Sequence, residues 1–87
     1  MTDSFRRHSR SLTAPPEQGV AVVPDDSADL VAVTRALYVG GAGDLAVRMA
    51  DGTPLVFGAV PAGTLLPLRV RQVLATGTTA SRIVGLW

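Results

Sequence analysis

The 87-residue sequence contains no cysteine, no lysine and a single histidine, His8. Without cysteine the chain can form neither disulfides nor thiolate metal sites, and one histidine cannot supply a multi-histidine metal site. No apolar run approaches the roughly 20 residues that a membrane-spanning helix needs, so we expect a soluble chain with no membrane partner. The formal net charge is only +1, which gives no strong attraction to nucleic acid.

The composition indicates one small folded domain. Hydrophobic residues make up 47% of the chain, too many for an intrinsically disordered protein, and the length is enough for a single domain. A domain of this size buries only about 60% of the surface of its unfolded chain, so its own core is marginal. Because neither a disulfide nor a metal can compensate, we expect a homo-oligomer whose subunits stabilise one another.

The basic residues other than His8 are all arginines, at positions 6, 7, 10, 35, 48, 69, 71 and 82. Arginine suits interfaces because its planar guanidinium binds two acceptors and is less strongly hydrated than an ammonium group. A GC-rich genome that favours arginine codons would produce the same bias. The sequence leaves both explanations open.

Residues 1–18 differ from the rest of the chain. They are mostly charged or small and polar, and Pro15-Pro16 favours an extended backbone over a helix. No apolar stretch follows the arginines, so we expect no secretory signal. We interpret 1–18 as an extended N-terminal arm and 19–87 as a β domain. The arm either docks on an acidic or nucleic-acid partner or is a solvated tail. The residues through which it would dock are Phe5, Arg6, Arg7 and Arg10.

From residue 19 onward, short apolar runs are separated by turn residues. Runs that are rich in β-branched residues, or that alternate apolar with polar residues, predict strands. The predicted strands cover 19–23, 30–39, 45–49, 55–57, 66–71 and 82–87. No segment carries a helical apolar stripe of useful length. The pattern predicts an all-β fold, a small antiparallel β-sandwich or barrel of jelly-roll-like type.

The hairpin around Asp51-Gly52 has two possible registers. A two-residue loop would send Leu55 and Phe57 to the polar face of the hairpin. A three-residue loop places Leu55 opposite Val47 and Phe57 opposite Leu45, which gathers the large apolar side chains on one face. We favour the three-residue loop, because it also puts Gly52 where a positive φ is needed. The residues then expected on the core faces are Leu45, Val47, Leu55, Phe57, Leu66, Leu68 and Val70.

The sequence offers no convincing catalytic, cofactor-binding or metal site. His8 lies in the arm, where nothing holds it beside a nucleophile. Asp25, Asp26 and Asp29 could cluster around calcium, but turn chemistry explains them better, because the glycine and terminal glutamate of an EF-hand loop are missing. The glycine-rich stretch 40–43 precedes a strand rather than the helix of a phosphate-binding loop. We therefore expect no enzyme activity and no cofactor.

A small barrel that binds single-stranded nucleic acid is the alternative interpretation. Such barrels combine aromatic stacking platforms with a basic groove. Arg69 and Arg71 share one predicted strand face, which Arg48 and Arg82 could join, but arginines on a strand are more often solvated or paired with acids.

Trp87 should pack into the domain or a neighbouring subunit, because an apolar Leu-Trp end is costly to expose.

Six stretches of the β domain occur in an order that resembles a known family. They are Val33-Thr34-Arg35-Ala36-Leu37-Tyr38-Val39-Gly40-Gly41-Ala42-Gly43, Met49-Ala50-Asp51-Gly52-Thr53, Val60-Pro61-Ala62-Gly63-Thr64-Leu65-Leu66-Pro67, Arg69-Val70-Arg71, Ala75-Thr76-Gly77-Thr78-Thr79-Ala80 and Ile83-Val84-Gly85-Leu86-Trp87. Together they resemble the spike base proteins of gene transfer agents and related tailed-phage-like particles. The resemblance covers essentially all of 19–87 and none of the arm.

The resemblance implies a structural role in such a particle. Proteins of this family form the base of head spikes on the capsid and hold a separate spike-fibre protein, whose fibres are associated with attachment to the recipient cell. Head spikes sit at capsid vertices, so we expect a pentamer that assembles in the cytoplasm and ends on the outer surface of the released particle. We add the inference that the arm docks on the major capsid protein. The residues expected at a subunit or fibre interface are Tyr38, Arg69, Arg71, Arg82 and Trp87.

Overall fold

The computed structural model describes residues 16–87, and these form seven β-strands. The strands are β1 (Gly19–Val22), β2 (Ala36–Gly41), β3 (Gly43–Met49), β4 (Pro54–Val60), β5 (Thr64–Leu66), β6 (Val70–Val73) and β7 (Ser81–Leu86). Within residues 16–87 there is no helix long and apolar enough to cross a membrane. The expected docking residues of the arm, Phe5, Arg6, Arg7 and Arg10, lie outside the described residues.

The strands form two antiparallel sheets. The first sheet has the order β1-β7-β2-β5, and the second has the order β4-β3-β6. Alternate residues of the strands point into the space between the sheets, where they form the core. The residues of this core cluster are Val22, Leu37, Val39, Leu45, Val47, Val60, Val70, Val73, Ala80 and Ile83. The prediction of a small, all-β antiparallel fold is confirmed.

The hairpin of β3 and β4 has the predicted three-residue loop. Leu45 lies opposite Phe57 and Val47 opposite Leu55. The Met49 backbone N–H donates to the Thr53 carbonyl at 2.8 Å, which closes the hairpin around residues 50–52. Gly52 has a φ of 96°, the left-handed conformation that this loop requires. The predicted register is therefore confirmed.

The expected core faces are only partly buried. Leu45, Val47 and Val70 are fully buried, whereas Phe57, Leu66 and Leu68 are partly buried and pack against the core. The placement of Leu55 in the core was wrong, because 43% of its surface is exposed. It points to the same face as Val47, but it lies on β4, the edge strand of its sheet, where coverage by the first sheet is incomplete.

The predicted strand over 66–71 is in fact two strands that belong to different sheets. β5 pairs with β2 in the first sheet, and β6 pairs with β3 in the second. Pro67 lies between them, where its missing N–H and fixed φ favour a break in the ladder. The hydroxyl of the buried Thr34 holds this crossover, because it donates to the Leu68 carbonyl at 2.8 Å and accepts from the Val70 N–H at 3.1 Å.

The predicted strand over 30–39 begins only at Ala36. The residues before it run in irregular conformation along the outer edge of β6. The N–H groups of Asp25, Leu30 and Thr34 donate to carbonyls of Val73, Arg71 and Val70, respectively. This segment therefore covers the edge of β6, and its apolar residues do not form a strand of their own.

Candidate functional site

An apolar row crosses the outer face of the first sheet. Tyr38, at the centre of β2, lies opposite Leu65 of β5 on one side and Val84 of β7 on the other, and Val84 lies opposite Ala21 of β1. Tyr38 is 41% exposed and Leu65 59% exposed. A row of this kind, with aromatic and aliphatic side chains left in solvent, is typical of a protein-contact surface.

Arg82 lies on the same face, beside Tyr38. Both side chains pack over Gly40: a Cβ built there would lie 2.9 Å from the Arg82 Cβ and 3.5 Å from the Tyr38 Cε2. Arg82 has a φ of 52°, an uncommon conformation for a residue with a side chain. Only glycine at position 40 leaves room for this arrangement. Two of the five expected interface residues are thus adjacent.

The expected interface residues Arg69 and Arg71 lie in another place, near the loop 50–52. The Arg69 carbonyl accepts a hydrogen bond from the Ala50 N–H at 2.9 Å. Arg71 is the extra residue of a β-bulge, because Met49 pairs with Val70 and Arg48 pairs with Gln72. Bulges redirect side chains, and here the Arg71 guanidinium points toward Gly52. Its buried Nε has no hydrogen-bond partner among residues 16–87.

Arg48 belongs to the structure of the second sheet. Its Nε donates to the Gln72 Oε1 at 3.2 Å and its Nη1 donates to the Gly52 carbonyl at 3.0 Å. Gln72 is buried, and its Nε2 in turn donates to the Asp25 carbonyl at 3.0 Å. This polar chain crosses the outer face of the second sheet. It joins the segment on β6 to the hairpin loop.

Asp51 is the one acid in the loop 50–52, between these arginines. The Thr53 N–H donates to its Oδ1 at 2.9 Å. Hydrogen bonds from Thr53 lower the pKa of Asp51, and the charge of Arg71 lowers it further. Beside the loop is an open depression of about 410 Å³, which is lined by Met49, Ala50, Asp51, Thr53, Leu55 and Arg69.

Trp87 is hydrogen-bonded to the residues that directly precede β1. Its carbonyl accepts the N–H groups of Glu17 and Gln18, and its own N–H donates to the Gln18 carbonyl at 2.8 Å. The indole Nε1 also donates to the Gln18 Oε1 at 2.8 Å. Trp87 is half-buried and lines a cleft of about 170 Å³ with Glu17, Gln18 and Arg35. Residues 17 and 18, expected at the end of the arm, thus extend the pairing of β1 with β7.

Asp25 and Asp26, in the loop after β1, accept hydrogen bonds from backbone and hydroxyl groups. The Asp25 Oδ1 accepts hydrogen bonds from the N–H and hydroxyl of Ser27, and Asp26 accepts from the N–H and hydroxyl of Thr76. These bonds lower the pKa of both carboxyl groups. Within residues 16–87, no three histidine, cysteine or acidic residues form a group that could hold a metal ion.

The structure separates residues that the sequence suggested to be neighbours. Arg82 lies in the first sheet, whereas Arg48, Arg69 and Arg71 surround the loop of the second. Leu65 and Val84 were not singled out from the sequence. The signal that could have found them is their register opposite Tyr38, which requires knowledge of the strand order.

Comparison with solved structures gives a match over the full length of the chain. The chain aligns with a protein chain of a structure described as "Capsid of native GTA particle computed with C5 symmetry". The two are 40% identical with a TM-score of 0.79, and the alignment covers 99% of this chain and 100% of the other. The protein belongs to the same family as this GTA capsid chain. No protein-family model and no curated protein matches it.

The match confirms the resemblance at the level of a structural protein from a GTA particle. It agrees with the expectation that the protein is not an enzyme, because its relative is a capsid component.

Proposed function

We propose that the protein is a structural subunit of a gene transfer agent particle and forms the base of its capsid head spike. The observation that carries this proposal is the 40% identity to a GTA capsid chain over essentially the full length of both chains. The alignment covers 99% of this chain, so the matched region extends across the β domain. The motifs that resemble spike base proteins extend from β2 to β7, across the same matched region.

The proposed assembly is a ring of five copies at a capsid vertex. The related capsid was computed with C5 symmetry, and a five-fold axis accommodates one ring of five identical chains. The small core of the domain supports assembly, because contacts between copies add the buried surface that one copy lacks. The ring forms in the cytoplasm and lies on the outer surface of the released particle.

Two separate parts of the chain would contact the spike-fibre protein and the major capsid protein. The outer face of the first sheet, with Tyr38, Leu65, Val84 and Arg82, is the proposed platform for the spike-fibre protein. The proposed contact with the major capsid protein is the arm 1–18, whose docking residues are Phe5, Arg6, Arg7 and Arg10. Arg69, Arg71 and Trp87 are proposed for contacts between subunits.

Deleting residues 1–15 tests the capsid contact, because it removes all four docking residues and leaves the pairing of Glu17 and Gln18 with Trp87 in place. Particles assembled with the truncated chain should have complete heads without spikes when they are imaged by electron microscopy. Tyr38→Ala is the matched control, since it should leave the base on the capsid and remove only the fibre. Truncated protein that still decorates the heads would refute the role of the arm.

The nucleic-acid alternative can be tested on the isolated protein. The geometry gives it little support, because Tyr38 lies on the first sheet and Arg69 and Arg71 lie beside the loop of the second. A ring-forming protein without salt-sensitive DNA affinity, measured by light scattering and a DNA titration, supports the structural role. A monomer that releases DNA steeply as the salt concentration rises would support nucleic-acid binding instead.

A further inference from the structure

We infer that β4 of one copy pairs with β1 of the next copy, so that successive subunits join edge to edge around the ring. This inference rests on the proposed function, because it names the contact that would build the proposed ring. It begins from the free edges of the two sheets.

Three strand edges are unpaired within residues 16–87. They are β1 and β5 in the first sheet and β4 in the second, because the outer edge of β6 is covered by the segment before β2. An unpaired strand edge offers N–H and carbonyl groups to any extended chain. Monomeric proteins usually protect such edges with charged side chains or prolines.

The edge of β4 carries no charge. No charged residue occurs from Gly52 to Leu68, a stretch that contains both β4 and β5. On β4, Leu55 and Val56 are 43% and 64% exposed. The protection is limited to Pro54 at one end and a bulge at Ala59 at the other, where the N–H donates to Asp44. The strand between these ends is open to pairing.

The hydrogen-bond pattern shows which backbone groups of β4 are free. Met49 and Thr53 form a bonded pair at the loop, and bonded pairs recur at every second residue of an antiparallel ladder. Leu55 and Phe57 therefore point their N–H and carbonyl groups at β3. Val56 points its groups away from β3, toward solvent. The Ala46 carbonyl, opposite Val56, agrees with this because it accepts from Leu74 on the far side of β3.

The edge of β1 has the matching character. Residues 18–24 contain no charge, and Val23, directly after β1, is 82% exposed. Both edges are therefore uncharged and apolar, so that joining them buries no unpaired charge. β5 is a poorer partner, because it has only three residues.

The two edges lie on opposite sides of the sandwich. A connection of three residues, 61–63, joins β4 to β5, so these two strands lie on one side. Three residues after β1 ends, the Asp25 N–H donates to the Val73 carbonyl of β6, so β1 and β6 lie on the other. A contact between different surfaces on opposite sides is head-to-tail. Such contacts build rings when the rotation between copies closes, and open filaments when it does not. The five-fold axis of the proposed assembly supplies a rotation that closes.

The first test is Val56→Lys in the full-length chain. Light scattering should give the mass of a ring for the unchanged protein and the mass of one chain for the variant, because a lysine blocks pairing at this edge. Ala75→Lys adds the same charge at an exposed position outside both edges and should keep the ring. Circular dichroism should show both variants folded, since Val56 is exposed.

The second test uses introduced cysteines, and the natural chain contributes none. Ala21→Cys combined with Val56→Cys, or with Leu55→Cys to cover the other face of β4, should form disulfides between copies. On a non-reducing gel at least one pair should give a ladder that ends at the ring size. Val56→Cys with Ala75→Cys should give none.

The outcomes distinguish this contact from the proposed function. A ring that persists in Val56→Lys, or that gives no ladder with either cysteine pair, would overturn the β4–β1 contact and leave the spike-base role intact. A full-length protein that stays monomeric at all concentrations would instead count against the ring, and with it the proposed function.

Discussion

Gly52 fixes the hairpin of β3 and β4 through its backbone alone. Its φ is 96°, and a Cβ at this position would meet nothing closer than the Arg71 Nη2 at 3.9 Å. Gly52→Ala should therefore destabilise the fold by about 1–2 kcal/mol, because a side chain disfavours the left-handed conformation. Urea denaturation at one protein concentration measures the change.

Gly58→Ala is the control for this prediction. Gly58 lies on β4 of the same hairpin without a positive φ, and its nearest neighbour would be the Asp44 Oδ1 at 3.7 Å, an ordinary contact. The change should be neutral or slightly stabilising. Equal losses in both variants would mean that the conformation of Gly52 is not what fixes the register.

Asp26 should make the stability of the protein depend on pH. Hydrogen bonds from Thr76 lower its pKa below the ordinary 3.8, so its contribution is fully present above that value and is lost as the pH falls through the lowered folded value. Thr76→Val removes the hydroxyl donor at 2.6 Å and should raise the pKa of Asp26. NMR titration of the Asp26 carboxyl measures this directly.

Thr79→Val is a suitable comparison, because the Thr79 hydroxyl accepts from the Asp44 N–H, elsewhere in the fold. It should leave the Asp26 titration unchanged. An Asp26 midpoint at or above 3.8 in the unchanged protein would contradict the prediction.

At the residue scale, the sequence predicts those conformations that are determined by residues nearby in the chain. The loop 50–52 could be predicted because glycine chemistry and the apolar pattern agreed on one register. The exposure of Leu55 could not, because it depends on how far the other sheet extends over an edge strand. The direction of Arg71 follows from a bulge that no local pattern marks.

The crossover from β5 to β6 is the element that depends most on one buried polar side chain. The Thr34 hydroxyl satisfies both the Leu68 carbonyl and the Val70 N–H. Thr34→Val keeps the shape of the side chain but leaves two buried backbone groups without partners. It should cost about 1–3 kcal/mol of unfolding free energy, measured by urea denaturation.

Thr64→Val provides the comparison, because the Thr64 hydroxyl donates to the Pro61 carbonyl at an exposed position. Water can replace that bond, so the change should be within about 0.5 kcal/mol. If Thr34→Val were as mild as Thr64→Val, the hydroxyl would not be what holds the crossover.

At the element scale, the number and type of strands could be predicted better than their partners. The alternation over 66–71 predicts one strand because Leu66, Leu68 and Val70 all face inward. It cannot show that the chain changes sheets at Pro67, since both halves of the break point to the same core. The apolar run before Ala36 was wrongly predicted to be part of a strand. Its backbone N–H groups bond to carbonyls of β6, but the segment does not have strand geometry.

At the scale of the whole molecule, the sequence indicates which residue types suit an interface. It does not indicate which of these residues share a surface. Tyr38 and Arg82 share a face because β2 and β7 are neighbours, which the sequence does not reveal. The uncharged flank from Gly52 to Leu68 is visible in the sequence. Its meaning depends on strand order, because only the fold makes β4 and β5 edge strands.

Assembly should make the thermal stability of the protein depend on its concentration. A ring that binds only folded chains stabilises them by mass action. For a pentamer, each tenfold increase in concentration adds about 1 kcal/mol per chain. This corresponds to a rise of roughly 4–8 °C in Tm for a domain of this size. Calorimetry or circular dichroism over two decades of concentration measures the slope.

Val56→Lys separates assembly from intrinsic stability in the same experiment. Because Val56 is exposed on the free edge of β4, the variant should melt at a Tm that no longer changes with concentration. Its Tm should equal that of the unchanged protein extrapolated to high dilution, where both are single chains. Ala75→Lys should keep the full slope. A Tm for the unchanged protein that is independent of concentration would mean that the domain is stable without its neighbours, and that its small core suffices.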